Sequence, residues 1–168
     1  MHPAIKAYVR GVDTFNRRVG RIAMYLVFVM MAILLWSSFS KTFLLPSLWT
    51  LDMAQFTLTA YYLLGGAYSL QLGSNVRMDL IYGGWTDRQK AWVDAFSVFA
   101  LIFYLGILLY GGYESTAYAL EYGERGRTAW RPYMAPIKIV MCIGILMMLI
   151  QAIAEFFKDI ARIRGEEI

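Results

Sequence analysis

Residues 22–40 contain no Asp, Glu, Lys or Arg, and neither do residues 53–76, 95–113 or 139–154. These runs are 19, 24, 19 and 16 residues long. A helix needs roughly 20 apolar residues to cross a bilayer core. The first three runs qualify directly. The fourth qualifies if Lys138 snorkels to the interface and the helix continues through Phe156 and Phe157. The pattern predicts an all-α integral membrane protein, a single membrane domain over 1–168. Its transmembrane helices are expected at about 21–41, 53–76, 88–113 and 136–157. The first run exceeds the roughly 7–15-residue core of a signal peptide, so it is expected to stay in the mature chain.

Ahead of the first run, Ile5, Tyr8, Val9, Val12, Phe15 and Val19 recur at three- and four-residue steps, with Lys6, Arg10, Asp13 and Arg17 opposite. A basic amphipathic segment before a span predicts an interfacial helix over about 3–20. Pro46 breaks the chain after the first span. In the second, Gly65, Ser69 and Gly73 sit four residues apart on one face, a stripe of small residues that lets another helix approach closely. Gly83-Gly84 marks a turn. Thr86 with Gln89 then forms a capping box for the third helix. Glu114–Tyr122 can extend that helix by two turns before Gly123, Gly126, Pro132 and Pro136 end it. Trp85, Trp92 and Trp130 flank the spans, where indole rings anchor at headgroup depth.

Composition agrees with this reading. The chain is 59% hydrophobic and 17% charged, with mean hydropathy +0.49. A soluble domain carries about 25% charged residues. Eleven of the 16 Lys and Arg residues fall in the two termini and the loop between helices 2 and 3. By the positive-inside rule both termini face the cytoplasm. The net charge of +4 then reflects topology and anionic lipid rather than nucleic acid.

The chemistry usual in small membrane enzymes and carriers is missing. His2 is the only histidine and lies outside the spans, so no pair of haem ligands is available. Cys142 is the only cysteine, which rules out an internal dithiol. No ionisable Asp, Glu, Lys or Arg lies within the four runs, as a proton-coupled exporter would need. Ser37, Ser38 and Ser97 have no histidine to activate them. The reading is a non-enzymatic chain with no catalytic, substrate-binding or metal residues and no cofactor. It works either with a partner or as a stand-alone homo-oligomeric channel or exporter.

The order of motifs resembles the small membrane subunit, DctQ-like, of the tripartite ATP-independent periplasmic (TRAP) transporters. Trp49 is followed three residues later by Asp52, where the family more often has Glu. After helix 2 the chain reads Asn75-Val76-Arg77-Met78-Asp79, a departure at the first position of a His-x-Arg/Lys-x-Asp-like signature. "TDRQKAWVD" opens helix 3, and Gly123-Glu124 precedes the proline-rich "WRPYMAPIK" before helix 4. The resemblance implies a non-catalytic permease subunit in a bacterial-type inner membrane. It would brace a large multi-pass subunit that imports a solute, commonly an organic acid, on an ion gradient. It also implies a periplasmic substrate-binding protein as a further, indirect partner. Gly65, Ser69, Gly73, Arg77 and Asp79 are the candidates for the subunit interface. Trp49, Asp52 and Glu124 are candidates for docking, with solvated loop charge the competing reading of the two acids. Arg77 would meet the large subunit or lipid phosphate, and Asp79 would pair with Arg77 or Arg88.

Overall fold

In the computed structural model of the chain, residues 3–72, 84 and 86–164 are described, and four long helices account for most of them. They are α1 (Pro3–Phe43), α2 (Thr50–Gln71), α3 (Asp87–Glu121) and α4 (Ala135–Arg164). Each begins or ends for a local reason. Pro3 opens α1, where its missing N–H costs nothing. Pro46 prevents α1 from continuing, and its last turn closes with the Leu44 N–H on the Ser40 carbonyl. Gln89 reaches back to accept the Thr86 N–H at 3.0 Å at the start of α3. At the other end of α3, Gly123 takes φ +58°, and the Glu124 N–H bonds the Ala119 carbonyl at 3.1 Å. That bond stops the helix with a glycine in the left-handed region.

Among the described residues, three helices are long and apolar enough to cross a membrane: Ile5–Phe43, Trp92–Glu121 and Ala135–Ala161. α2 has the length, at 22 residues, but carries Asp52, Gln55, Thr57, Thr59 and Gln71. Its threonines are satisfied within the helix: Thr57 donates to the Met53 carbonyl and Thr59 to the Gln55 carbonyl.

The predicted interfacial helix is not a separate element. Residues 3–20 are the first half of one 41-residue helix, about 60 Å long, with no break before the apolar half. No proline interrupts it. Its inward stripe is Val9, Asn16, Gly20 and Ala23, whereas Tyr8 and Phe15 remain exposed. The Tyr8 hydroxyl donates to the Ile150 carbonyl at 3.2 Å, and its ring meets Phe157 edge-on at 6.4 Å. This half of α1 therefore packs along the second half of α4.

α4 is the centre of the fold. It packs against α1, α2 and α3, while α1 and α2 pack on each other. α3 joins through α4, with Leu105 at the contact between Ile145 and Ala152 and their partly buried neighbours. Glycines set the closest approaches. A Cβ at Gly144 would lie 2.7 Å from the Leu63 Cβ and 3.1 Å from the Leu63 carbonyl carbon. A Cβ at Gly20 would lie 2.5 Å from Tyr68, and one at Gly66 would lie 3.0 Å from the Met148 sulfur.

The helices differ in how much these contacts can yield. Met148 is flexible, but the Leu63 backbone is not. Gly144→Ala is therefore expected to cost roughly 1–3 kcal/mol by overpacking. Gly111→Ala, where a Cβ meets nothing within 4 Å, should be neutral or slightly stabilising through helix propensity. Thermal midpoints of the purified variants, followed by size-exclusion chromatography, check this; equal midpoints would contradict the α2–α4 contact.

Candidate docking surfaces and polar clusters

Antiparallel helices create two ends: a loop end, where residues 44–49 and 122–134 gather, and a termini end. Polar side chains concentrate at both.

At the loop end, Asp52 lies in the first turn of α2, where a carboxylate suits the helix dipole. It is only 4% exposed and accepts a hydrogen bond from Thr128 at 2.6 Å. Thr128 is presented by a small hairpin-like loop. The Gly126 N–H bonds the Pro132 carbonyl at 2.8 Å, the Met134 N–H bonds the Glu124 carbonyl at 3.0 Å, and Arg125 and Tyr133 form an isolated bridge. Gly126 fits closely there, since a Cβ would lie 3.0 Å from the Pro132 ring. Arg125 donates to the Tyr133 hydroxyl at 2.7 Å with its guanidinium 4.5 Å from the ring centroid. Glu124 pairs with Lys138, which also donates to the Ser115 carbonyl at 3.3 Å. Nearby, Thr50 is buried and hydrogen-bonded with Ser37 of α1 at 3.1 Å. These bonds fasten the 122–134 loop to α2, α3 and α4, and α2 to α1.

The acids singled out by the sequence are thus engaged within the chain: Asp52 is buried, and Glu124 is partly exposed beside Lys138. Trp49 stands before α2, makes no side-chain cap bond and is 39% exposed. Trp130 is 42% exposed at the loop end and Trp92 is 61% exposed near the start of α3.

At the termini end, α1 and α4 share a polar network. Gln151, fully buried, accepts from Asn16 Nδ2 at 2.6 Å and donates to Asp13 Oδ1 and Glu155 Oε1, each at 3.0 Å. Lys158 lies between the same two carboxylates, 2.9 Å from Asp13 and 2.8 Å from Glu155. The ammonium and the amide together keep two acids close without mutual repulsion. The periodicity puts Asp13 on the polar face of the amphipathic segment, and Gln151 falls within the uncharged run 139–154. The available signal was one amide in each of two apolar stripes, since buried amides require partners. Nothing in the sequence joins residues 135 positions apart.

The small-residue stripe is divided differently from its spacing. Gly66, one residue from the predicted seam, makes the contact with α4, whereas a Cβ at Gly65 meets nothing within 4 Å. Gly65 and Ser69 line an open groove of about 360 Å³ between α1 and α2, together with Gly20, Ala23, Tyr61 and Tyr62. Gly73, Arg77, Asp79 and Trp85 lie outside the described residues. Among the described residues, no group of three or more His, Cys, Asp or Glu could hold a metal ion.

The network at the termini end makes a specific prediction. Lys158→Met leaves Asp13 and Glu155 facing each other with one amide between them, and the thermal midpoint should fall by several degrees. Adding Asp13→Asn removes one of the two charges and should recover part of the loss, which a double-mutant cycle reads as coupling. Additive effects would mean that the two side chains do not share a network.

Comparison with curated proteins and with solved structures returns no match. The family described as tripartite ATP-independent periplasmic transporters, DctQ component, matches residues 30–162, from the middle of α1 almost to the end of α4. That span takes in the tight α2–α4 contact, the loop end with Asp52 and Thr128, and the α4 half of the polar network. On this match over most of its length, the chain belongs to the DctQ family of small TRAP transporter components.

Proposed function

We propose that this chain is a non-catalytic permease subunit that braces the large multi-pass subunit of a secondary transporter importing an organic acid on an ion gradient. A periplasmic substrate-binding protein would serve as the transient third component. The setting is a bacterial-type inner membrane, with α2 as a fourth span and both termini cytoplasmic. One observation carries this reading beyond family membership. The charged and amide groups at the two ends are bonded to one another: Asp52 with Thr128, Glu124 with Lys138, and Gln151 with Asn16 and the Asp13–Lys158–Glu155 group; Gln71 Oε1, at the end of α2, is buried without a hydrogen-bond partner. The stretch between the ends is mostly apolar, with the α2 threonines bonded to their own helix, and is held by glycine contacts, as suits a rigid scaffold.

The open groove at Gly65 and Ser69 is the proposed seat for a helix of the large subunit. Small residues there allow close backbone approach, which is how helices associate where burial in lipid gives no hydrophobic drive. Gly73, Arg77 and Asp79, outside the described residues, are proposed as further interface residues. With Asp52 turned inward, exposed Trp49 is the better candidate for periplasmic docking. Trp85, Trp92 and Trp130 would fix the depth of the subunit.

Two measurements test this. In proteoliposomes with binding protein and an ion gradient, omitting the chain should lower organic-acid uptake by the large subunit at least about tenfold; undiminished uptake would sink the bracing role. Gly65→Leu should weaken co-purification with the large subunit while leaving the thermal midpoint of the isolated chain unchanged, because the added side chain enters open space. An unaffected complex would put the interface on another face.

A further inference from the structure

At the loop end, a crevice of about 630 Å³ opens between α1, α2 and α4. That volume lies within the roughly 300–1,000 Å³ of sites that hold small organic ligands. Its walls are Leu26, Met53, Phe56, Ala60, Ile137 and Val140, with one polar residue, Thr57, whose hydroxyl is spent on the Met53 carbonyl of its own helix. Ala60 is ten residues into α2, about 15 Å along the axis from Thr50, so the crevice runs well into the apolar zone. Its lip is different in kind: Trp130, Arg131 and Tyr133 come from the 122–134 loop.

Arg131 is the unusual residue. Its φ is +51°, and it is the one non-glycine residue with positive φ among those described. The left-handed region is uncommon for a residue with a Cβ and disfavours a long side chain. The turn that imposes it is closed by the Arg131 N–H on the Thr128 carbonyl at 3.1 Å, and Thr128 is itself held on Asp52. The chain thus holds an arginine, rather than a glycine, in a strained turn at the mouth of an apolar crevice. The nearby acids are committed elsewhere, Asp52 to Thr128 and Glu124 to Lys138. Arg125 is occupied with Tyr133, and Arg127 adds a further positive charge to the loop.

We propose that this crevice holds a single phospholipid, with an acyl chain between α1, α2 and α4 and the phosphate on the Arg131 guanidinium. A guanidinium binds phosphate oxygens in a bidentate fork. An apolar crevice open to the bilayer loses dispersion contacts when empty and cannot be filled well by water, which needs polar partners. Bulk lipid offers the chain an equally apolar setting, so retention of one molecule depends on the headgroup contact and on fit. The inference rests on the chain's membrane placement and is independent of its part in transport.

The test uses the full chain, purified and delipidated in detergent and titrated with dioleoylphosphatidylglycerol under native mass spectrometry. Arg131→Gly removes the guanidinium while relaxing the backbone, since glycine accepts positive φ. Ala60→Phe fills the crevice without touching the lip. One phospholipid per chain should be retained by the wild type, with occupancy at least about tenfold lower in both variants at unchanged thermal midpoint. Inorganic phosphate in excess should displace little of it, because the acyl chain contributes to the hold. Equal retention in both variants would overturn the proposal. So would complete displacement by phosphate, or, in membranes that hold the large subunit, a photo-crosslinker at Ala60 that captures that subunit instead of lipid.

Discussion

The contact of Gly144 with the backbone of Leu63 fixes the distance between α2 and α4, and the other packing follows from it. Within a bilayer, helices gain nothing by hiding apolar surface from lipid, so association depends on close packing and on polar groups that need partners. A hydrogen atom at position 144 lets α4 settle against the α2 main chain. Gly66 then meets Met148 four residues further along α4, on the same face. With α2 and α4 locked together, α1 closes on α2 through Gly20 against Tyr68, and α3 rests on the far side of α4 through Leu105 and Ile145. Glycine is unfavourable in a helix interior by about 1 kcal/mol relative to alanine. Its use at three contacts shows where the chain exchanges helix propensity for proximity.

Polar bonds finish what packing begins, and their placement is telling. The glycine contacts do little to resist sliding along the helix axes. The two end clusters resist it, because Thr128 on Asp52 and Lys138 on Glu124 hold one end, while Asn16, Gln151, Asp13 and Lys158 hold the other. A shift of one residue, about 1.5 Å, would break several of these bonds at once. Each would leave a partly or fully buried polar group unpaired, at about 1–3 kcal/mol. Register is therefore set at the ends and spacing in the middle.

The helices were legible because charges are costly in lipid and so outline each apolar run. Capping was legible at Thr86 and Gln89, where the signal is local. Two features were not. The helix period selects a face to within about one residue, so it could not distinguish Gly65, which is open, from Gly66, which is packed. Separating them needs the rotation of α2 against α4, and that is set by Gly144 and Leu63 more than 70 residues apart in the chain. The continuity of α1 was missed for a different reason. Its first half is amphipathic enough to lie on a membrane, and the partner that covers Val9 and Asn16 and pairs with Asp13, the end of α4, is remote in sequence. Asp52 and Glu124 show the same limit: as acids beside the ends of the apolar runs they resemble solvated charge until Thr128 and Lys138 are brought beside them.

The division between bonded ends and an apolar middle bears on what such a chain can contribute to a transporter. A subunit that moves substrate must break and remake polar contacts along its path, which requires ionisable or hydrogen-bonding groups that are exposed in at least one state. Here those groups hold helices to helices, and releasing them would loosen the fold itself. Broad outward faces of α1 and α3, by contrast, present large apolar side chains such as Phe28, Leu35, Phe99 and Phe103. These faces demand no specific partner group, since lipid tails or another subunit's helices satisfy them equally. Most of the buried polar chemistry among the described residues is committed to the fold, Gln71 Oε1 apart, and the exterior is largely apolar. That combination favours a fixed support over a carrier, and it makes the open groove at Gly65 and the crevice beneath Arg131 the two places where shape invites a specific occupant.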